Sequence, residues 1–346
     1  MMRLPLFDLC APRTLDEAVR VLDGERETAM VLAGGTDLLP NMKRRQQVPK
    51  TLISLRNIQD LRQLRMDTNE ILLGPCLRLS TIELDPRFRN GCSALWQAAS
   101  QVATPHIRYQ ATLGGNICLD TRCLYYDQSY EWRQAINFCL KTGGETCWVA
   151  PGSDRCMAVS STDTAPALIA LGARVTLKSV VGERQLPLAD LYNTDGMRYL
   201  TRQSNEILSE VRLDSLHGWK SSYWKLRRRG SFDFPVLSVA AAAKIDPGGV
   251  VEQARIVLGA VASRRILAEE AAKSLVGRKL EADTIEQAAS LAARMAKPLD
   301  NTDFNMSWRK KVASAFVSYA LRELRGEDLR AERRRMSHQQ LPENGN

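Results

Sequence analysis

Five of the chain's eight cysteines fall between Cys118 and Cys156, and regular sequence resumes only at Asp163. The first residues, Met1 to Thr14, contain no sustained apolar core and do not read as a secretory signal. A chain of this kind does not use its thiols as a disulfide framework, so metal or redox chemistry is favoured. Cys123, Cys139, Cys147 and Cys156 are separated by 15, 7 and 8 residues. Four thiolates suit zinc or an iron–sulfur cluster. Structural zinc sites usually contain close C-x₂₋₄-C pairs, and none occurs among these four. Tyr125, Tyr126, Tyr130, Trp132, Phe138 and Trp148 share the stretch. Bulky aromatics of this kind would shield a redox cluster from water. Spacing alone leaves two readings open, a cluster and a loop of unpaired buried thiols. Cys118 remains a fifth candidate ligand.

The chain as a whole has ordinary globular composition: 346 residues, 44% hydrophobic and 25% charged. That length suggests two or three domains. No apolar run approaches the ~18 residues that span a bilayer, and a cytoplasmic location is expected. The net charge of +9 comes from small scattered groups such as Lys43-Arg44-Arg45, Arg227-Arg228-Arg229 and Arg333-Arg334-Arg335. These read as a solvated basic surface. A zinc-stabilised nucleic-acid module is a distant alternative, since the groups show neither finger spacing nor aromatic interleaving. Neither a nucleic-acid nor a membrane partner is expected.

Three units follow from the local patterns. In 1–55, Thr14-Leu15-Asp16-Glu17 is a capping box whose helix ends at Gly24. Short strands are expected at Met30–Ala33 and Thr51–Leu55. In 56–216, Glu70–Leu77 alternates, Ser80-Thr81-Ile82-Glu83 repeats the capping-box pattern, Ala94–Ala103 reads as an apolar helix, and Ala173–Lys178 as a strand. In 217–326, strands are expected at Tyr223–Arg228, Val236–Ile245 and Ala254–Val261, with a turn at Asp246-Pro247-Gly248-Gly249. Three helices follow, at 264–276, 282–296 and 307–325. The charged tail, 327–346, is expected to be disordered.

Two glycine pairs could carry chemistry. Gly34-Gly35-Thr36 lies between a predicted strand and a helix, and Gly114-Gly115-Asn116 follows a proline turn. Glycines let backbone N–H groups approach an anionic ligand closely. Two such loops could together grip a dinucleotide pyrophosphate, although G-x-G-x-x-G is absent. Only His106, His217 and His338 occur. None has metal spacing, and no catalytic side chain is proposed.

Ala33-Gly34-Gly35-Thr36-Asp37-Leu38, then Ala111-Thr112-Leu113-Gly114-Gly115-Asn116, then Asp163 with Pro166-Ala167-Leu168, resembles the FAD-binding medium subunit of molybdenum hydroxylases. This is the family of xanthine dehydrogenase and carbon monoxide dehydrogenase. The resemblance covers about 5–326. It implies an α+β chain: a two-subdomain α/β FAD-binding domain of the CO dehydrogenase flavoprotein type, then a β-sheet with three helices. Most members pass almost directly from the second glycine loop to the aspartate. The insertion here, about 119–159, is similar to that of the β subunits of 4-hydroxybenzoyl-CoA reductases, which carries a [4Fe-4S] cluster. Related aldehyde oxidoreductases also have cysteine-bearing flavin subunits.

The resemblance makes Cys123, Cys139, Cys147 and Cys156 the cluster ligands and leaves Cys118 out. It assigns FAD to Val31, Leu32, Ala33, Gly34, Gly35, Thr36, Asp37 and Leu38, and to Thr112, Leu113, Gly114, Gly115 and Asn116. Both loops would act largely through backbone N–H groups. Val102, Asp163, Leu191 and Lys225 complete the set. The implied partners are a molybdopterin-binding large subunit and a small [2Fe-2S] subunit, in a dimer of heterotrimers. Ferredoxin would be the electron donor for reductive removal of the phenolic hydroxyl of 4-hydroxybenzoyl-CoA. Another molybdenum hydroxylase, acting on a purine, aldehyde or N-heterocycle, is the alternative.

Overall fold

A computed structural model describes residues 3–338. Strands β1 (Asp8–Cys10), β2 (Ala29–Leu32) and β3 (Thr51–Ser54) form a parallel sheet with β3 in the centre. The Thr14 hydroxyl accepts from Glu17 N at 3.2 Å, and Glu17 reaches back to Thr14 N. This caps helix Leu15–Glu25, which buries Ala18, Val19 and Leu22. The sequence pattern misses β1, because three residues are too few to show a period.

The next sheet is antiparallel, in the order β4-β5-β8-β6-β7. Its strands are β4 (Leu64–Met66), β5 (Glu70–Leu73), β6 (Arg174–Ser179), β7 (Gly182–Pro187) and β8 (Ile207–Asp214). Helices Ser93–Ser100 and Thr164–Ala170 share a hydrophobic core with it, and every residue of the second is buried. Ser80 does not cap a helix. The helix there, Leu79–Leu84, starts before it, with Leu79 N bonded to Ala111 O at 3.0 Å. That earlier start buries Leu79, Ser80 and Ile82.

The third sheet contains β9 (Trp219–Leu226), β10 (Leu237–Ile245), β11 (Val251–Gly259) and β12 (Ile266–Leu267), antiparallel in the order β12-β11-β10-β9. Side chains alternate across a strand. Ala240 and Ala242 therefore join the core of the preceding unit, while Val239, Ala241 and Ala243 face the C-terminal helices. Burial on both faces explains why Val236–Ile245 reads as one apolar run. Helices Ala282–Met295 and Met306–Arg325 cover the outer face. The expected helix over 264–276 shrinks to Glu269–Lys273, because Ile266 and Leu267 pair with the edge of β11.

The tail also departs from expectation. Asp328 accepts from Arg330 N at 3.0 Å, and a helix runs from Arg330 to His338. Arg333 pairs with Glu323 at 2.6 Å, lies over the Trp224 ring and donates to Tyr223 O at 3.1 Å. Composition suggests solvation here, and these specific anchors override it. Residues 339–346 of the expected disordered tail lie outside the described residues.

Arg309 is fully buried, and the bonds found for its guanidinium all go to backbone carbonyls, those of Val236, Leu299 and Ala260. Burial lowers its pKa to about 10. Replacement by alanine strands three carbonyls, each costing about 1–3 kcal/mol. Arg309→Ala is expected to lower the urea midpoint of the C-terminal unit, followed by tryptophan fluorescence.

Candidate functional site: a glycine-lined cleft beside a cysteine pocket

A cleft of about 390 Å³ opens where the first two sheets meet the loop between β9 and β10. Val31 to Leu38, Val102, Thr112, Gly114, Gly115, Asn116 and Asp163 line it. Leu113, Leu191 and Lys225 are not among its lining residues. Leu113 and Leu191 have no exposed surface and belong to the core. Leu191 acts one layer back, its carbonyl accepting from Thr201 N at 2.8 Å beside the cleft-lining Leu200.

The two glycine loops do different work. No hydrogen bond within the described residues engages the N–H of Gly34, Gly35, Thr36 or Asp37. These donors, ahead of helix Leu38–Lys43, remain free for an anionic ligand. In the second loop the donors are already used. Leu113 N bonds Leu77 O, Gly114 N bonds Pro75 O, Gly115 N bonds the Thr112 hydroxyl, and Asn116 N bonds Thr112 O. Its glycines serve close packing instead. A Cβ on Gly114 would lie 2.5 Å from Pro75 Cβ. Gly34 packs the same way against the backbone of Gln110 and Ala111, so it joins the two loops. Backbone donors are thus open in the first loop, and those of residues 113–116 are engaged within the protein.

Asp163 sits just before the buried helix Thr164–Ala170, whose first residue is tied to Asn116 Oδ1 through N (3.0 Å) and Oγ1 (2.7 Å). The Asp163 carboxylate accepts from Tyr223 Oη at 2.6 Å and from Lys225 Nζ at 3.0 Å. Lys225 also donates to Gln101 O at 2.9 Å. Burial pushes the Asp163 carboxyl up and the Lys225 amine down, while their mutual attraction opposes both. Lys225 is therefore placed to hold Asp163, and Asp163 is the member of the pair that reaches the cleft.

Cys123, Cys139, Cys147 and Cys156 are all buried and unpaired, and they converge on one small pocket. Tyr125, Tyr126, Lys141, Trp148 and Val149 share its wall. Met157 N points to Cys147 Sγ at 3.5 Å, Ala158 N to Cys156 Sγ at 3.4 Å, and Thr142 Oγ1 lies 3.4 Å from Cys139 Sγ. Burial raises the Cys156 thiol to about 11, and Lys141 works against that rise. No three His, Cys, Asp or Glu side chains among the described residues close on a single ion. Cys76 and Cys92 lie in apolar cores, and Cys118 lines the cleft instead.

Several contributors escape sequence reasoning. Arg122 pairs with Asp37 of the first glycine loop, lies 3.5 Å from Asp127, and sits over the Phe234 ring. Phe232 and Phe234 bring the β9–β10 connection to the cleft, and Asp120 and Tyr199 line it too. Only the adjacency of Arg122 to Cys123 could have marked it. The others depend on contacts distant in sequence.

The FAD binding domain found in molybdopterin dehydrogenases matches residues 5–214, and the CO dehydrogenase flavoprotein C-terminal domain matches 221–324. The chain belongs to the family of FAD-binding medium subunits of molybdenum hydroxylases, and it is an oxidoreductase subunit that binds FAD. It is 29% identical over 283 residues to the nicotinate dehydrogenase FAD-subunit of Eubacterium barkeri, covering 81% of this chain and 83% of that one. It is 30% identical over 250 residues to the aldehyde oxidoreductase FAD-binding subunit PaoB of Escherichia coli (strain K12), covering 68% and 76%. The solved carbon monoxide dehydrogenase from Hydrogenophaga pseudoflava superposes with a TM-score of 0.76 at 25% identity, over 93% of this chain and 98% of that one. No helix among the described residues is long and apolar enough to cross a membrane.

Gly34→Ala forces the new methyl into the Gln110 carbonyl and parts the two loops. Flavin affinity is expected to fall at least about tenfold, equivalent to about 1.4 kcal/mol. The FAD-to-protein ratio after desalting would show it.

Proposed function

We propose that this chain is the electron-transferring subunit of a molybdenum-dependent oxidoreductase, holding FAD in the cleft and a [4Fe-4S] cluster on Cys123, Cys139, Cys147 and Cys156. The convergence of all four insertion cysteines on one buried pocket carries this reading. The donor set fits the cluster chemically. Each thiolate would bond a different iron, so the sulfurs need not close on one point as they would for zinc. Backbone N–H groups directed at Cys147 and Cys156 are the kind of hydrogen bond that tunes such a centre.

The residues divide the work. Free N–H groups at 34–37 would hold the FAD phosphates, and Asp163, fixed by Tyr223 and Lys225, would present a carboxylate oxygen to the flavin or its ribityl chain. Tyr126 and Trp148 would keep water from the cysteines. When bound, the two groups supply one- and two-electron redox chemistry, and the chain contributes their placement and electrostatic surroundings.

The expected assembly pairs this chain with a molybdopterin-binding large subunit and a small [2Fe-2S] subunit in a dimer of heterotrimers. The insertion supports a 4-hydroxybenzoyl-CoA reductase, with ferredoxin as donor and a cytoplasmic location. The names of the relatives, which include nicotinate, caffeine and carbon monoxide dehydrogenases, support a second reading in which the holoenzyme oxidises another substrate. Assaying the assembled complex with 4-hydroxybenzoyl-CoA and with N-heterocycles or aldehydes separates the two.

Anaerobically purified protein should contain FAD and four irons per chain beyond those of the small subunit. Cys139→Ser should lose the cluster absorbance and retain FAD. Flavin without that iron in the unaltered protein would refute the cluster.

A further inference from the structure

A buried ion pair lies between the two pockets. Asp120 lines the cleft and Lys141 lines the cysteine pocket. Lys141 Nζ donates to Asp120 Oδ1 at 2.5 Å, Thr121 Oγ1 at 2.6 Å and Gly196 O at 3.0 Å. An ammonium has three donors, and all three are used. The same nitrogen lies 4.3 Å from the Tyr126 ring centre and 5.4 Å from that of Tyr199. Tyr126 belongs to the cysteine pocket and Tyr199 to the cleft. Asp120 is equally well held. Its Oδ2 accepts from Tyr126 Oη at 2.8 Å and from Gln47 Nε2 at 3.2 Å, and its Oδ1 accepts from Thr121 N at 2.8 Å.

The pair is oriented and shielded. The side chains of Lys141 and Asp120 are 8% and 5% exposed. Charges this deeply buried are screened far less than surface charges. The carboxylate end faces the cleft and the ammonium end faces the thiols. Gly196, which supplies one acceptor, also donates its N–H to Cys156 O at 2.8 Å, and a Cβ there would meet Cys156 Sγ at 2.9 Å. The pair is thus fixed to the wall of the cysteine pocket.

We propose that the Asp120–Lys141 pair sets the difference in redox potential between the two sites, with Lys141 as a positioning residue that favours an electron on the cysteine side. This rests on the electron-transfer reading above. One electron leaving either site oxidises it and reduces the other by one. The pair itself changes neither bonds nor oxidation state; it biases the exchange through its field.

The test uses the full chain loaded anaerobically with FAD, iron and sulfide. Flavin potential is read by visible titration and iron-centre potential by electron paramagnetic resonance. Lys141→Met should lower both potentials, the iron centre more. Asp120→Asn should raise both, the flavin more. Lys141→Arg should stay close to the unaltered protein. Opposite signs from two substitutions in one contact distinguish a charge effect from loosened packing. Unmoved potentials in Lys141→Met with full flavin and iron content would overturn the proposal, as would shifts of the same sign in both variants. If Lys141→Met fails to fold, the upward shift in Asp120→Asn decides the matter. If the unaltered chain takes up flavin and no iron, the cluster reading fails and the potential difference with it; unmoved potentials in a chain with full iron overturn this proposal alone.

Discussion

The carboxylate of Asp163 is the contact on which the cleft depends. It is buried where helix Thr164–Ala170 meets β9, and Tyr223 and Lys225 hold its two oxygens. A buried charge of this kind persists only when paired and hydrogen-bonded, and removing one partner typically costs about 3–5 kcal/mol. The bonds cross from the second sheet's unit to the third. Asn116, from the second glycine loop, fixes the residue next to it. One carboxylate therefore ties together the loop, the buried helix and the C-terminal sheet that border the cleft.

The cysteine insertion is fastened to this frame at many points and is not a freestanding module. Arg122 joins it to Asp37, Gln46 donates to Tyr126 O at 2.7 Å, and Arg133 donates to Arg44 O at 2.7 Å. From the C-terminal unit, Asn301 accepts from Leu124 N and donates to Met157 O. The short helix Tyr130–Ala135 and the single turn at Leu140–Thr142 supply little regular structure. Polar contacts to the surrounding frame compensate for the small apolar core the insertion can build.

The sequence revealed elements with a local cause. The Thr14–Glu17 capping box, the Asp246–Gly249 turn and the apolar run of β10 each follow from neighbouring residues. So does the first glycine loop, where a strand, two glycines and a helix succeed one another. What stayed hidden depends on distance. Ser80 has the side chain of a cap, yet Leu79 begins the helix because Ala111 accepts its N–H. Ile266 and Leu267 leave a helical pattern to close a sheet edge. Gly114 looks like a ligand-binding glycine, and the carbonyl that occupies its N–H belongs to Pro75, far back in the chain. The pairing of Lys225 with Asp163 is equally invisible to spacing.

The helix at Arg330–His338 reaches the cleft by relay. Arg333 braces the carbonyl of Tyr223, and the hydroxyl of Tyr223 secures Asp163. The back wall of the cleft is therefore braced by a residue 110 positions further along the chain. A change in that helix would be felt in the cleft without altering any residue that lines it.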